Sequence, residues 1–287
     1  MTRLKSVRLR APAKINLGLR VLAKRTDGSH DIQTVFLALD WYDQLFISSS
    51  SVISMTCTNP SLPTDEGNLV IRAARLLADR FSVSSGAAIH LEKNLPYGAG
   101  LGSGSSDAAA TLTGLAKFWN CDVGPKDLHV LATELGSDVP FFLDPRPAVG
   151  EGRGERLTYL DKLFMASDFK PTFVVAVVTP PIVISTKEAF SLVYPRSGTD
   201  RNSLITILKG SVDGWQNALT NDFEEPIFAR YSELRDIKRH LLGSGAMYAS
   251  LSGSGSAVFG LFESVEKARN ALVTSGNDGW VGRPINT

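Results

Sequence analysis

From residue 13 to 21 apolar and polar positions alternate. Ile15, Leu17, Leu19 and Val21 fall on one side, and Lys14, Asn16, Gly18 and Arg20 on the other. A period of two describes a half-buried strand, and it sets Lys14 and Asn16 side by side on the face turned from the core. Asp27-Gly28 predicts a hairpin turn, with returning strands at 35–40 and 44–49. Over 68–82 the period becomes helical: Leu69, Ala73, Leu76, Leu77 and Phe81 share a face, and Asp65 and Glu66 near its start complement the dipole. A short strand at 87–92 leads into glycines. A helix then runs over 105–119, with Ala108, Leu112, Leu115, Ala116 and Trp119 on its apolar stripe. Pro125 opens a third helix and Gly136 ends it. Past residue 170, strands are predicted at 173–178, which Pro180-Pro181 breaks, and at 247–251 and 257–262, with a helix over 264–274. Helices and strands interleave with hairpin-like turns, which favours an α+β class over a doubly wound parallel sheet. The weakly hydrophobic DPRPAVGEGRGERL (144–157) puts a domain boundary shortly after it, giving domains 1–162 and 163–287.

Composition narrows the class. Hydrophobic residues make up 43% of the 287 positions and charged residues 21%, enough for an ample core. The net charge of +1, from 30 basic and 29 acidic side chains, gives no reason to expect nucleic acid or a membrane surface as partner. Cys57 and Cys121 form no CxxC and have no histidine near them, as in a reduced, cytoplasmic protein. The basic start, MTRLKSVRLRAPAKINL, has no apolar core of a signal peptide, and no stretch approaches the roughly 18 apolar residues of a membrane span.

The candidate chemistry begins at NLPYGAGLGSGSSDAAA (94–110), where Gly98, Gly100, Gly102 and Gly104 precede a good helix former. Glycine clusters cost entropy and mark backbone that takes positive φ or approaches something closely. A flexible loop feeding a helix N-terminus aims N–H groups and the positive end of a dipole at one point, which suits phosphate. An ordinary strand-to-helix loop is the plainer reading. Several phosphate loops are excluded by spacing. No lysine follows the last glycine as in GxxxxGK[ST], the third glycine of GxGxxG would fall on Ser103, and neither HRD, DFG nor GxSxG occurs here.

Three clusters read together, PAKINLGL (12–19), the glycine loop and SGSGSAVFGLF (252–262), resemble the GHMP kinase superfamily. Within it, RTDGSH (25–30), NLVIRAA (68–74), PYGAGLGSGSSDAA (96–109), GSDVPFF (136–142) and ISTKEAF (184–190) resemble the 4-diphosphocytidyl-2-C-methyl-D-erythritol kinases. The motifs occur in the same order from about residue 8 to 265. The resemblance implies a two-domain fold: an N-terminal domain like the second domain of ribosomal protein S5, a C-terminal ferredoxin-like α/β sandwich, and an active site in the interdomain cleft. It also implies a cytoplasmic, monomeric or weakly dimeric enzyme of isoprenoid precursor synthesis. With ATP and Mg²⁺, such an enzyme phosphorylates the 2-hydroxyl of a cytidine-diphosphate-capped methylerythritol.

The resemblance also implies roles. Lys14 and Asp138 match the family's catalytic lysine and aspartate. The carboxylate takes the proton of the attacking hydroxyl, while the ammonium keeps it ionised and offsets phosphate charge. Unaided, Lys14 reads as a solvated lysine and Asp138 as a cap or turn residue. Pro96, Gly98, Gly100, Leu101, Gly102, Ser103, Gly104, Ser105 and Ser106 would hold ATP phosphates, with Ser105 or Ser106 either ligating Mg²⁺ or capping the helix. Asn68 and Lys93 match positions near adenosine, and otherwise read as a helix start and a surface lysine. Asn16 would bond the substrate, His30 the cytosine edge, Thr186 the substrate side, and Phe190 would stack on cytosine. Two departures stand out: Ser29 where RxDGYH has a tyrosine that stacks on cytosine, and Ser103 where GLGGGSS has glycine. Other GHMP small-molecule kinases, of homoserine or the mevalonate pathway, are the near alternative. A silent nucleotide-binding module of this fold is the distant one, disfavoured because Lys14 and Asp138 are both present.

Overall fold

The computed structural model describes residues 6–163, 171–195 and 204–285. The chain forms two compact units interleaved along the sequence: 1–13, 41–97 and 102–145 in the first, and 14–40, 98–101 and 146–287 in the second. Two long strands, β1 (Ser6–Lys24) and β2 (His30–Ser50), contribute residues to each.

In the first unit, β2 pairs antiparallel with β4 (Gly86–Glu92) from Gln44↔Glu92 to Ser50↔Gly86, and β3 (Ile53–Cys57) pairs parallel with β4. The helices α1 (Leu69–Arg80), α2 (Ser103–Phe118) and α3 (Pro125–Leu135) pack on one another. Gly114 lets α2 sit close to the strands, since a Cβ there would collide with Leu9 Cδ1 and come within 3.0 Å of Ile47 Cδ1. A 3-10 turn, Val139–Leu143, follows α3.

In the second unit, β2 pairs antiparallel with β5 (Ala148–Gly152), which pairs with β6 (Arg156–Tyr159). A separate antiparallel sheet has the order β10 (Gly279–Gly282), β7 (Val174–Val178), β9 (Val258–Phe262), β8 (Tyr248–Leu251). Short helices α4 (Thr186–Leu192), α5 (Leu204–Leu208) and α6 (Glu224–Arg230) precede α7 (Ser232–Gly243) and α8 (Val265–Thr274), which pack on the sheet. Leu234, Ile237 and Leu241 of α7, Val174 and Val178 of β7, Phe223 and Phe262 belong to one buried cluster.

The mixed α+β class expected from the pattern is the observed one, and the predicted helices at 68–82, 105–119 and 264–274 are present as α1, α2 and α8. Two readings need correction. The strands predicted at 35–40 and 44–49 are one strand running through Asp43, which is fully buried and accepts from Asn94 N and Leu95 N (2.6 and 2.7 Å). β1 is not half-buried. Residues 11–21 are all buried, with Lys14, Asn16 and Arg20 at 5% exposure or less, because polar groups on the second face find partners: Asn16 Nδ2 donates to Thr34 Oγ1 (2.9 Å), which donates to Gly18 O (2.6 Å). The weakly hydrophobic stretch 144–157 holds β5 and the start of β6, and Gly150 there leaves room for the Phe36 ring.

Truncating a fully buried aromatic removes transfer energy and leaves a cavity. Phe262→Ala should therefore lower unfolding free energy by about 3–5 kcal/mol, read from the urea midpoint at unchanged slope.

Candidate active site

Three segments far apart in sequence meet within the second unit. Lys14 Nζ donates to Asn16 Oδ1 (2.7 Å) and to Gly100 O (2.9 Å), and lies 5.7 Å over the Phe36 ring. Lys14 N donates to Leu101 O (3.0 Å), so β1 is joined to segment 98–101 through backbone as well. Ser252 Oγ donates to the same Gly100 O (3.1 Å), and Ala257 N donates to Ala99 O (3.0 Å). Gly98 and Gly100 have φ +68° and +77°, which only glycine adopts cheaply. Gly253 packs so closely that a Cβ would lie 3.3 Å from Lys14 Nζ, Asn16 Oδ1 and Gly100 O. The Lys14 side chain is therefore no solvated surface lysine. It is 3% exposed, and the two bonds above go to neutral oxygens, which satisfy donors without cancelling charge. Asn221, which nothing in the sequence singles out, braces this loop by donating to Leu251 O (2.9 Å) and Gly253 O (2.8 Å).

The N-terminus of α2 belongs to the first unit. Its N-cap is Gly102, at φ +69°, so the helix starts two residues earlier than expected and has no side-chain cap. That excludes the capping role for Ser105 and Ser106, which lie inside the first turns. Ser103 Oγ donates back to Pro96 O (3.1 Å), whereas Ser106 Oγ is buried with no hydrogen-bond partner among the described residues. Open first-turn N–H groups and an unpaired hydroxyl make a polar cradle suited to an anion and its counter-cation.

Asp138 is half-buried at the start of the 3-10 turn, and its side chain does not cap that turn. Phe141 and Phe142, buried and edge-to-face at 5.1 Å, anchor the segment that follows it. Asn68 is the N-cap of α1, its Oδ1 accepting from Val70 N (3.0 Å) and its Nδ2 donating to Pro63 O (2.9 Å). Lys93 is not a surface lysine. Its side chain is 2% exposed and pairs with Asp43 Oδ2 (2.5 Å) and Asp107 Oδ2 (2.6 Å). Burial lowers the Lys93 ammonium's pKa, but the two carboxylates outweigh it and hold the ammonium above the ordinary lysine value. Burial pushes Asp107 up to about 7; Lys93 opposes this and Asp43 adds to it. Asp43 and Asp107 escape sequence reasoning because their spacing from Lys93 matches no local pattern.

In the second unit, the His30 and Phe190 rings stack at 4.8 Å and 17°, and Phe223 stands edge-on to Phe190 at 4.9 Å. Burial, and then Lys24, hold His30 below the ordinary imidazole pKa. Thr186 is exposed at the first position of α4, one turn from Phe190. Ser29 is engaged locally, its N and Oγ both donating to Asp27 Oδ1 (2.9 and 2.5 Å).

Family models for the GHMP kinases N terminal domain and the GHMP kinases C terminal domain match residues 68–144 and 203–278. A 4-diphosphocytidyl-2-C-methyl-D-erythritol kinase of Salinibacter ruber is 44% identical over 263 residues, covering 91% of this chain and 92% of its own. One of Chlorobium limicola is 43% identical over 281 residues, covering 96% and 94%. The chain belongs to the 4-diphosphocytidyl-2-C-methyl-D-erythritol kinase family. A crystal structure of 4-(cytidine 5'-diphospho)-2C-methyl-D-erythritol kinase matches with a TM-score of 0.83 at 34% identity, covering 98% of this chain and all of that one. A homoserine kinase of Cytophaga hutchinsonii matches with a TM-score of 0.78 at 19% identity, a likeness of fold. Membership in this kinase family makes the chain a small-molecule kinase and implies ATP as phosphoryl donor. Among the described residues no helix is long and apolar enough to cross a membrane, and no three His, Cys, Asp or Glu side chains cluster as metal ligands.

Gly100 and Gly98 make a matched pair for testing the loop. A Cβ on Gly100 would collide with Ser252 O, whereas on Gly98 it would meet only Val183 Cγ1 at 3.4 Å. Gly98→Ala should cost about 1–2 kcal/mol of left-handed strain. Gly100→Ala should cost clearly more and abolish turnover; equal thermal shifts for the two would refute the close approach.

Proposed function

We propose that the chain transfers the γ-phosphoryl group of ATP to the 2-hydroxyl of 4-diphosphocytidyl-2-C-methyl-D-erythritol, giving the 2-phosphate and ADP. The observation that carries this is the Lys14 ammonium, buried and bonded to the Gly100 carbonyl, which fixes a cation on the glycine segment. Family membership supplies the substrate class. An assay of ADP release on this alcohol, homoserine, mevalonate and phosphomevalonate tests the reading. Turnover is expected on the cytidine-capped alcohol, and turnover confined to another would overturn the assignment.

In this reading Asp138 accepts the hydroxyl proton as that oxygen bonds phosphorus, and ADP leaves with the electrons of the broken P–O bond. Lys14 draws charge from the transferring group, which matters most where that charge is spread in the transition state. Pro96, Gly98, Gly100, Leu101, Gly102, Ser103, Gly104 and Ser105 line the phosphates with backbone groups and small side chains, and Asn68 lies toward the adenosine. Mg²⁺, when bound with ATP, supplies charge neutralisation. The residue that fits it is Ser106, whose buried hydroxyl has no partner among the described residues. Asn16 and Thr186 orient the alcohol, and His30 and Phe190 hold cytosine.

Asp138→Asn should lower kcat by about 10²–10⁴-fold while leaving ATP binding intact. A fall of less than about fivefold would remove Asp138 as the base.

His30 gives the cytosine reading a pH signature. Because its pKa is held below the usual 6.5, the neutral ring, with one donor and one acceptor, persists through neutrality. KM for the cytidine substrate should be flat above pH 6.5, rise below it as the ring protonates, and lose that rise in His30→Gln.

Ser29→Tyr would sacrifice only an exposed turn contact and add a stacking face. Stacking of a base on an aromatic ring is worth about 1–3 kcal/mol, so KM should fall by up to about tenfold with kcat unchanged. An unchanged KM would mean that the stacked His30–Phe190 pair already completes the pocket.

A further inference from the structure

The triad of Lys93, Asp43 and Asp107 lies wholly within the first compact unit, and the reaction described above does not use it. Lys93 stands just past β4 and Asp107 in the first turns of α2, so the Lys93–Asp107 pair ties a strand end to a helix start across the intervening glycine-rich segment. Asp43 of β2 completes the tie: one carboxylate oxygen faces Lys93, and the other accepts from Asn94 N and Leu95 N. The three side chains are 2%, 0% and 4% exposed. Two of the ammonium's three donors point at carboxylates at 2.5 and 2.6 Å, so its charge is consumed inside the triad. With the side chain 2% exposed, the remaining donor has little access to a ligand.

Buried ion pairs of this kind add little to stability compared with apolar side chains of equal volume, because desolvation offsets attraction. What such pairs do supply is direction: one charge-assisted hydrogen bond ties the chain just past β4 to α2, and a second ties it to β2. We propose that Lys93 is a positioning residue for phosphoryl transfer. With Asp43 and Asp107 it sets the N-terminal turns of α2, and through them the N–H groups that meet the phosphates. This rests on the phosphate reading of α2 given above. It replaces a direct contact between the Lys93 ammonium and adenosine.

The test compares Lys93→Met, Asp107→Asn and the double variant in the full chain, with folding checked by circular dichroism and rates taken well below each melting temperature. Each single change should lower kcat by about 10–100-fold, the cost of a misplaced phosphate site. KM for ATP should move by less than about threefold, since an interaction made only in the transition state is lost. The double variant should be no worse than the poorer single one, because either change breaks the same tie. Backbone amides of Ser106–Ala108 should also exchange at least about tenfold faster in Asp107→Asn, with α3 unaffected. This last readout needs no substrate, so it separates failure of the positioning role from failure of the proposed activity. If Lys93→Met does not fold, Asp107→Asn, which keeps side-chain shape and the Lys93–Asp43 pair, decides by the same kcat and exchange criteria. A rise in KM for ATP in Lys93→Met alone, with kcat kept, would overturn the proposal in favour of a nucleotide ligand. Multiplying losses in the double variant, or unchanged exchange, would also overturn it.

Discussion

An ammonium removed from water must be met by oxygen atoms at hydrogen-bond distance, or it loses its proton or its place. Lys14 meets that requirement within the second unit. Two of its partners are Asn16, two residues along the strand, and Gly100, 86 residues away. For the Gly100 carbonyl to reach it, the glycine backbone must turn through positive φ and come too near Ser252 for any side chain to fit. The SGSGS loop must be small for the same reason, with Asn221 bonded to its carbonyls. Gly100 and Gly253 thus stand where a buried amine, its acceptors and the SGSGS loop crowd together.

The same constraint is met differently in the first unit. Lys93 is surrounded by two carboxylates rather than neutral oxygens, so its charge is neutralised where it stands. At Lys14 two of the acceptors are neutral, the Asn16 amide oxygen and the Gly100 carbonyl. Both lysines are nearly inaccessible, yet the acceptors seen around them differ in kind: carboxylates at Lys93, an amide oxygen and a carbonyl at Lys14.

Much of the fold was legible because periodicity is a local property. α1, α2, α3 and α8 and the strands β4, β7, β8 and β9 follow from alternation or helical spacing with glycine and proline at their ends. β3, β5, β6, β10 and helices α4 to α7 were not read, most being short, with stability that comes from packing rather than from their own pattern. β5 carries Gly150 and Gly152 because the Phe36 ring and the turn after it demand them, and such glycines read locally as loop. Asp43, in the middle of β2 between the two predicted strands, shows the converse. Its polarity is satisfied by two backbone N–H groups some fifty residues away, which no window of sequence contains.

The sequence by itself determined the family, the glycine-rich segment before a helix, the pairing of Lys14 with Asn16 on one strand face, and the α+β class. Each of these depends on residue identity at short or fixed spacing. Only the tertiary structure decided that Lys14 is buried, that Gly102 rather than a serine begins α2, that His30 lies on Phe190, and that Lys93 is enclosed by Asp43 and Asp107. Those outcomes turn on which groups meet across dozens of residues and how much water remains between them. Hydrogen-bond partnership and desolvation are properties of the packed chain, and no spacing along it encodes them.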